Sequence, residues 1–218
     1  KDGVVIGPGF GLEESSASSL AICLRAIAKL HRHSPLIVDA DALTLLAQHE
    51  AVASVLPPGS ILTPHPGEMA RLLGSSIVEV ESDRVSAAKA AASRFSCWVV
   101  LKGARTIIAS PPTNNNYHVW MNPHVTSVLG TAGSGDVLSG VIAALVAEGA
   151  TPMEACRAGV FAHGLAGVLQ EERQGGASGA TAIDIIAAVG EAMNQLSAST
   201  ERLRFPLPGA PLELTSRG

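Results

Sequence analysis

The sequence predicts an α/β fold, in which a mostly parallel sheet carries helices on both faces and an antiparallel hairpin lies at one edge. Short apolar segments alternate with amphipathic segments along the chain, which is typical of strands joined by helices. Hydrophobic residues make up 47% of the 218 residues and charged residues only 16%, which is enough for one well-buried domain. Aromatic residues are scarce, at 3%, so we expect small side chains where helices pack on the sheet.

The predicted elements follow in order along the chain. Strands are expected within residues 3–11, 35–39, 60–63 and 97–103, and a hairpin within 106–110 and 117–121. Helices are expected over about 15–31, 41–49, 67–73 and 82–95, and three more begin near Gly135, after Thr151 and after Thr181. The run Thr151-Pro152-Met153-Glu154 has the pattern of a capping box. From about residue 197 the chain is polar and proline-rich, so we expect a domain over 1–196 and a tail over 197–218.

Charge and composition exclude several classes of partner. The net charge is −4 and no run of Lys and Arg occurs, so nucleic acid is not expected as a partner. No apolar stretch reaches the roughly 20 residues that span a bilayer, and the first residues lack the apolar core of a signal peptide. The three cysteines are far apart without a CxxC pair, so we expect reduced thiols. Together these features predict a soluble cytoplasmic protein.

Several loops with unusual composition follow the predicted strands. In parallel sheets, ligands bind outside the carboxyl ends of the strands, so GPGFG, DADAL, TPHPGE and LKGART are expected to form one site. GPGFG does not match GxGxxG, which disfavours a dinucleotide-binding Rossmann fold. In DADAL, a cap of the following helix is the simple interpretation of Asp41, and we expect Asp39 to tether a neighbouring loop, with a part in the chemistry as the alternative.

The loops TPHPGE and LKGART also carry ionisable side chains. His65 lies between prolines that stiffen its loop, and a binding role and a solvated loop histidine are equally supported. Glu68 lies in a first helical turn, where the helix dipole favours an acid. Lys102 ends an apolar strand and must reach water or an anion, for which phosphate is the obvious choice and a solvent-facing hairpin lysine the alternative.

The stretch GTAGSGDVLSG, residues 130–140, places glycines and one acid before an apolar helix. Because the helix is apolar nearly all round, we expect it to be buried, including its N-terminal end. The unpaired N–H groups at such a helix start form an anion site, and glycine allows close approach of a phosphate. A carboxylate in the same place would repel a phosphate, but both features are explained if the carboxylate takes a proton from a hydroxyl that attacks the phosphate. We therefore predict that Asp136 is a general base, with a simple helix cap as the alternative.

The motifs IGPGFG, LIVDADAL, TPHPGE, LKGART and GTAGSGDVLSG, in this order, resemble those of the ADP- or ATP-dependent NAD(P)H-hydrate dehydratases. These metabolite-repair enzymes belong to the ribokinase-like superfamily. The resemblance covers about residues 3–195, and it implies a ribokinase-like three-layer α/β/α fold. It also implies nucleotide-dependent phosphorylation of the hydroxyl of NADHX or NADPHX, the hydrated forms of NADH and NADPH, followed by loss of phosphate.

The resemblance assigns roles to individual residues. It implies that Asp136 activates the ring hydroxyl, that Gly9, Gly11 and His65 line the hydrate site, and that Glu68 helps to organise Mg²⁺. The residues implied in binding ADP or ATP are Lys102, Gly103, Ala104, Arg105, Thr106, Gly133, Ser134 and Gly135.

The chain departs from the family pattern in two places. It reads HVTSVLG at 124–130, where many members have a GNPG-like stretch, so we expect a different substrate-side loop. It also starts without the family's first strand–helix–strand segment, so we expect an exposed sheet edge or apolar face. A homo-oligomer, or a fused or separate NAD(P)H-hydrate epimerase, is the expected partner. Two alternatives are a ribokinase-like kinase acting on a vitamin precursor and an inactive nucleotide-binding fragment.

Overall fold

The six strands form one sheet in the order in which they occur in the sequence. A computed structural model describes residues 2–30, 35–114 and 116–202. Its strands are β1 (Val4–Ile6), β2 (Leu36–Val38), β3 (Ile61–Leu62), β4 (Trp98–Leu101), β5 (Ile107–Ala109) and β6 (Val119–Met121). Strands β1 to β4 pair in parallel, whereas β4–β5 and β5–β6 pair antiparallel. The mostly parallel sheet and the edge hairpin are therefore confirmed, and LKGART is the turn between two antiparallel strands.

Helices connect the parallel strands and follow the last one. They are α1 (Ser16–Leu30), α2 (Ala40–Gln48), α3 (Glu50–Ala53), α4 (Pro66–Leu73), α5 (Ile77–Ser82), α6 (Arg84–Phe95), α7 (Ser134–Glu148), α8 (Pro152–Gln174) and α9 (Ala182–Arg202). The sequence did not predict α3, α5 or the 3₁₀ helix Ser127–Gly130, because so few residues give no readable helical period. The capping box at the start of α8 is confirmed, with Thr151 and Glu154 as its partners. Helix α9 runs past residue 196, and residues 203–218 of the predicted tail lie outside the described residues.

Alternating side chains of the strands supply two apolar cores on opposite faces of the sheet. One core combines strand residues such as Leu36, Val38 and Leu62 with α1, α2, α4 and α6. The other combines Ile37 and Ile61 with α7 and α8. A third cluster joins α8 to α9 and lies beside the sheet layers. This arrangement confirms helices on both faces of the sheet.

The cysteines are free thiols, and two of them are buried. Burial raises the pKa of Cys97 to about 12, and it also raises the pKa of Cys156. In the described part of the chain, no helix is both long and apolar enough to cross a membrane.

The turn after β1 depends on a glycine. Gly7 has φ +128°, and a Cβ atom there would overlap the carbonyl oxygen of Asp39 and approach Ala42 Cβ to 2.9 Å. The end of β1 can therefore lie directly against the start of α2 only if residue 7 has no side chain.

Gly7→Ala is expected to lower the free energy of unfolding by about 2 kcal/mol or more, because it adds a backbone clash to a strained φ. Gly59→Ala is the matched control, since Gly59 also has positive φ but a Cβ atom there meets nothing within 4 Å. The control is expected to cost about 1 kcal/mol for the left-handed backbone alone. Urea unfolding of both variants measures the difference, and equal losses would contradict a tight contact at Gly7.

Candidate active site

The predicted site residues gather where the carboxyl ends of the parallel strands meet the start of α7. Asp39 follows β2, the segment from Thr63 to Glu68 follows β3, and Lys102 follows β4. Helix α7 closes the group, since a Cβ atom at Gly135 would lie 3.1 Å from Lys102 Nζ. Contacts between elements far apart in sequence therefore bring these residues together at the strand ends, which is where ligands bind in parallel sheets.

The buried carboxylate of Asp39 links three of these elements. Its Oδ1 accepts hydrogen bonds from Lys102 Nζ at 2.7 Å and from Ala40 N at 2.9 Å. Its Oδ2 accepts from Ser139 Oγ of α7 at 2.6 Å. Asp39 is only 1% exposed, so its charge is compensated inside the protein by one lysine and two neutral donors.

The two acids of DADAL differ in part from the roles predicted for them. Asp39 is the N-cap of α2 as well as a tether, whereas Asp41 accepts a hydrogen bond from Gly11 N at 2.9 Å. The prediction that Asp41 caps the helix was therefore wrong, because the helix begins one residue earlier than expected. Asp41 instead ties the GPGFG loop to α2.

His65 is the N-cap of α4. The imidazole Nδ1 of His65 accepts from Gly67 N at 3.0 Å and from Glu68 N at 3.3 Å, and the backbone N–H of His65 donates to Glu68 Oε2 at 2.7 Å. The imidazole Nε2 lies 3.5 Å from Glu68 Oε1, and half of the side chain is exposed. Burial lowers the pKa of His65, as does nearby Lys102, so the neutral ring that this cap requires is favoured.

Glu68 is an almost fully buried acid next to the lysine. Its Oε2 lies 4.0 Å from Lys102 Nζ. Burial raises the pKa of Glu68, while Lys102 and the hydrogen bond from His65 N–H act in the opposite direction. Glu68 is therefore held at the site by its backbone contact, as the capping-box geometry requires.

The KGART turn presents small and polar residues to solvent. Lys102 is half-buried, with its side chain 18% exposed, whereas Gly103, Ala104 and Arg105 are exposed. Gly103 and Arg105 have φ values of +141° and +58°. Thr106 Oγ1 donates to Gly103 O at 3.2 Å and closes the turn.

The glycine turn before α7 has the features of an anion site. Gly133 is the N-cap with φ +83° and offers no side-chain cap. Among the described residues, the N–H groups of Gly135 and Asp136 have no hydrogen-bond acceptor. We expected this helix end to be buried, but only Ser134 is buried, and Gly133 and Asp136 are exposed. The free N–H groups are therefore open to a ligand.

Asp136 does not act as a helix cap. Its carboxylate forms no hydrogen bond or ion pair with the described part of the chain, and the cap position belongs to Gly133. The cap-only interpretation of Asp136 was therefore wrong. An exposed carboxylate in the first turn remains free to accept a proton from a ligand.

The remaining predicted positions lie in two further loops. Gly9 and Gly11 have positive φ values in the loop after β1, and a Cβ atom at Gly9 would meet nothing within 4 Å. The segment 124–130 contains the 3₁₀ helix, which is capped by Thr126. In the described residues, no group of three or more His, Cys, Asp or Glu side chains is placed to hold a metal ion.

His163 of α8 is a site residue that sequence analysis missed. Its Nε2 lies 3.0 Å from Ser134 O and 3.1 Å from Ser134 Oγ, so it fixes the first residue of α7. Burial lowers the pKa of His163 to about 4, although the contact with Ser134 acts in the opposite direction. His163 lies within a mostly apolar helical stretch of the sequence, and its partner Ser134 is 29 residues away. No local pattern therefore identifies His163 as part of the site.

The unfolded chain binds a proton at His163 below pH 6.5, whereas the folded chain does so only near pH 4. Stability therefore falls with falling pH across this window, by up to about 3 kcal/mol from this residue. His163→Gln, which keeps a donor near Ser134, should lose less stability between pH 6.5 and pH 4 than the unsubstituted protein. Urea unfolding at both pH values measures the change, and equal losses would contradict a buried neutral His163.

The chain is similar to known proteins of one enzyme family. A family model described as NAD(P)H-hydrate dehydratase matches residues 1–189. The chain belongs to the NAD(P)H-hydrate dehydratase family. It is 38% identical over 198 residues to the ADP-dependent (S)-NAD(P)H-hydrate dehydratase of Neisseria meningitidis, covering 89% of this chain and 64% of that protein. It is 45% identical over 174 residues to the bifunctional NAD(P)H-hydrate repair enzyme Nnr of Thermofilum pendens, covering 80% of this chain and 32% of that protein.

Solved structures of similar proteins share the fold. The ADP/ATP-dependent NAD(P)H-hydrate dehydratase from Bacillus subtilis, co-crystallised with ATP/Mg²⁺ and soaked with CoA, matches with a TM-score of 0.72 and 29% identity, over 88% of this chain and 65% of that one. A ribokinase-like superfamily protein from Enterococcus faecalis matches with a TM-score of 0.72 and 26% identity, over 88% of this chain and 62% of that one. The predicted ribokinase-like α/β/α fold is thereby confirmed. The chain spans less than two thirds of each of these relatives.

Proposed function

We propose that this protein converts NADHX and NADPHX back to NADH and NADPH, with ADP or ATP as phosphoryl donor. The observation that carries the proposal is the contact between Lys102 and Gly135. It places an ammonium group beside the free N–H groups at the start of α7, next to the exposed Asp136. A phosphate held there is surrounded by donors and faces a carboxylate that can take a proton.

The chemistry assigned to this site is a phosphoryl transfer followed by an elimination. The ring hydroxyl of the hydrate attacks the terminal phosphorus of the nucleotide, the bond to the departing nucleotide breaks, and Asp136 takes the hydroxyl proton. The ring carbon–oxygen bond then breaks with phosphate as leaving group, and loss of a ring proton restores the reduced nicotinamide. In this scheme Gly9, Gly11 and His65 line the hydrate site, and the turn 102–106 with Gly133–Gly135 holds the nucleotide.

The charges around Lys102 favour a nucleotide that arrives with Mg²⁺. Asp39 and Glu68 both lie within 4.0 Å of its Nζ, so the lysine alone offers little excess positive charge. Carboxylate oxygens are ligands suited to Mg²⁺, which is usually held by one or two carboxylates and the substrate phosphates. Glu68 would hold the ion through water, and Mg²⁺ when bound would neutralise the phosphates.

Partners and location follow from the same proposal. The substrates are small molecules, and an NAD(P)H-hydrate epimerase, fused or separate, would supply the hydrate in the reactive configuration. A homo-oligomer and a cytoplasmic location remain predictions, and gel filtration with light scattering measures the first.

Lys102→Ala is expected to weaken ADP and ATP binding by on the order of 1.5–3 kcal/mol, because a charge-assisted phosphate contact is lost. Lys89→Ala is the control, since Lys89 lies over the Tyr117 ring rather than at the strand ends. Calorimetric titration of both variants measures the affinities. Unchanged nucleotide affinity in Lys102→Ala would remove Lys102 from the binding site.

Asp136→Asn is expected to lower the rate by roughly 10²–10⁴ while nucleotide affinity is kept or rises, because Asn has similar size but cannot accept the proton. Its stability should change by no more than a few tenths of a kcal/mol, since Asp136 caps nothing. The assay follows the absorbance of reduced nicotinamide formed from hydrate, Mg²⁺ and either nucleotide. A variant that keeps most of its turnover would refute the general base, and a stable phosphate ester as product would instead identify a kinase.

A further inference from the structure

Arg84, the first residue of α6, reaches the end of β4 and binds two successive carbonyl groups there. Its Nη2 donates to Leu101 O at 3.2 Å and to Lys102 O at 3.1 Å. Its Nη1 donates to Glu81 Oε1 at 2.6 Å, which orients the guanidinium. The Arg84 side chain is only 14% exposed, so these bonds are largely shielded from water.

The guanidinium also packs directly on Gly103. A Cβ atom at Gly103 would lie 2.8 Å from Nη1 and 2.9 Å from Nη2 of Arg84. The Nε of Arg84 is buried and has no hydrogen-bond partner among the described residues. The Arg84 side chain keeps this position although its Nε donor is unpaired, because its contacts with the turn stabilise it there.

These contacts determine the direction of a backbone donor. In a trans peptide the C=O and N–H groups point in opposite directions, so a bond to Lys102 O directs the N–H of Gly103 away from Arg84. The preceding peptide is held at both ends, by Arg84 at Leu101 O and by a 2.8 Å bond from Lys102 N to Pro64 O. The N–H of Gly103 finds no acceptor in the described part of the chain.

We propose that Arg84 is a positioning residue that fixes the Lys102–Gly103 peptide so that the Gly103 N–H can bind a phosphate of the nucleotide. The nucleotide part of this inference rests on the proposed function. The geometric part, in which Arg84 holds the turn 102–106 in place, does not depend on the proposed function. Arg84 itself touches no reacting atom in this scheme, and it acts only through the backbone of its neighbours.

The test compares Arg84→Gln and Arg84→Lys with Arg94→Gln. Arg94 is a matched control, because it lies at the other end of α6 and its Nη1 also donates to a backbone carbonyl, Leu72 O, at 2.8 Å. Arg84→Lys keeps the charge but lacks the planar fork that reaches two carbonyls and Glu81 together. Amide hydrogen exchange of residues 101–106 and calorimetric titration with ADP and with ATP, both in the presence of Mg²⁺, are the two measurements.

We expect faster exchange in residues 101–106 and roughly tenfold or greater loss of nucleotide affinity in both Arg84 variants. Arg94→Gln should change neither, although it also loses a carbonyl contact. Full affinity in Arg84→Lys would show that charge alone matters and would overturn the proposal. Unchanged exchange in Arg84→Gln would overturn it as well.

The two measurements separate this inference from the proposed function. If the unsubstituted protein binds neither nucleotide, the proposed function and the phosphate role of Gly103 both fail. The exchange data then decide whether Arg84 holds the turn. If Arg84→Gln does not fold, Arg84→Lys supplies both readouts.

Discussion

The carboxylate of Asp39 is the constraint on which the arrangement of the site depends. It is buried at the end of β2, and it accepts hydrogen bonds from Lys102 at the end of β4 and from Ser139 of α7. The next residue, Ala40, has a φ of +49°, which costs about 1–2 kcal/mol for a residue with a side chain. The backbone adopts this conformation at the point where the Asp39 carboxylate faces inward. Loss of one partner of a buried ion pair, such as that of Asp39 with Lys102, typically lowers the free energy of unfolding by about 3–5 kcal/mol.

In the proposed function, this network also prepares Lys102 for a phosphate of the nucleotide. The ammonium group is already partly withdrawn from water and directed toward Gly135, so little of its hydration remains to be removed when a phosphate arrives. A phosphate has to compete with Asp39 for the lysine. The competition favours a ligand that brings its own cation and uses backbone N–H donors in addition to the lysine.

The sequence predicted the parallel strands, the helices on both faces of the sheet and the edge hairpin, because all of these follow from local patterns and from the geometry of parallel sheets. That the loops after the strands form a ligand site stays a prediction. The sequence assigned the helix cap to Asp41 instead of Asp39, since both lie near the start of α2 and spacing does not reveal at which residue the helix begins. Partners distant in the chain were also missed. Ser139 is 100 residues from Asp39, and Arg84 is 17 residues from Leu101, so neither contact leaves a mark on local composition.

The first residues of α9 lie against the glycine turn. Thr131 Oγ1 donates to Ala180 O at 2.9 Å, and a Cβ atom at Gly133 would lie 3.2 Å from Ala182 Cβ. Helix α9 packs on α8 through its own apolar cluster, apart from the two cores that cover the sheet. Because α9 contributes to neither core that covers the sheet, its opening would release the turn and leave those cores in place. Any ligand that binds only the ordered turn must therefore stabilise α9 against opening, so the hydrogen-exchange protection of this outer helix and the occupancy of the turn are thermodynamically linked.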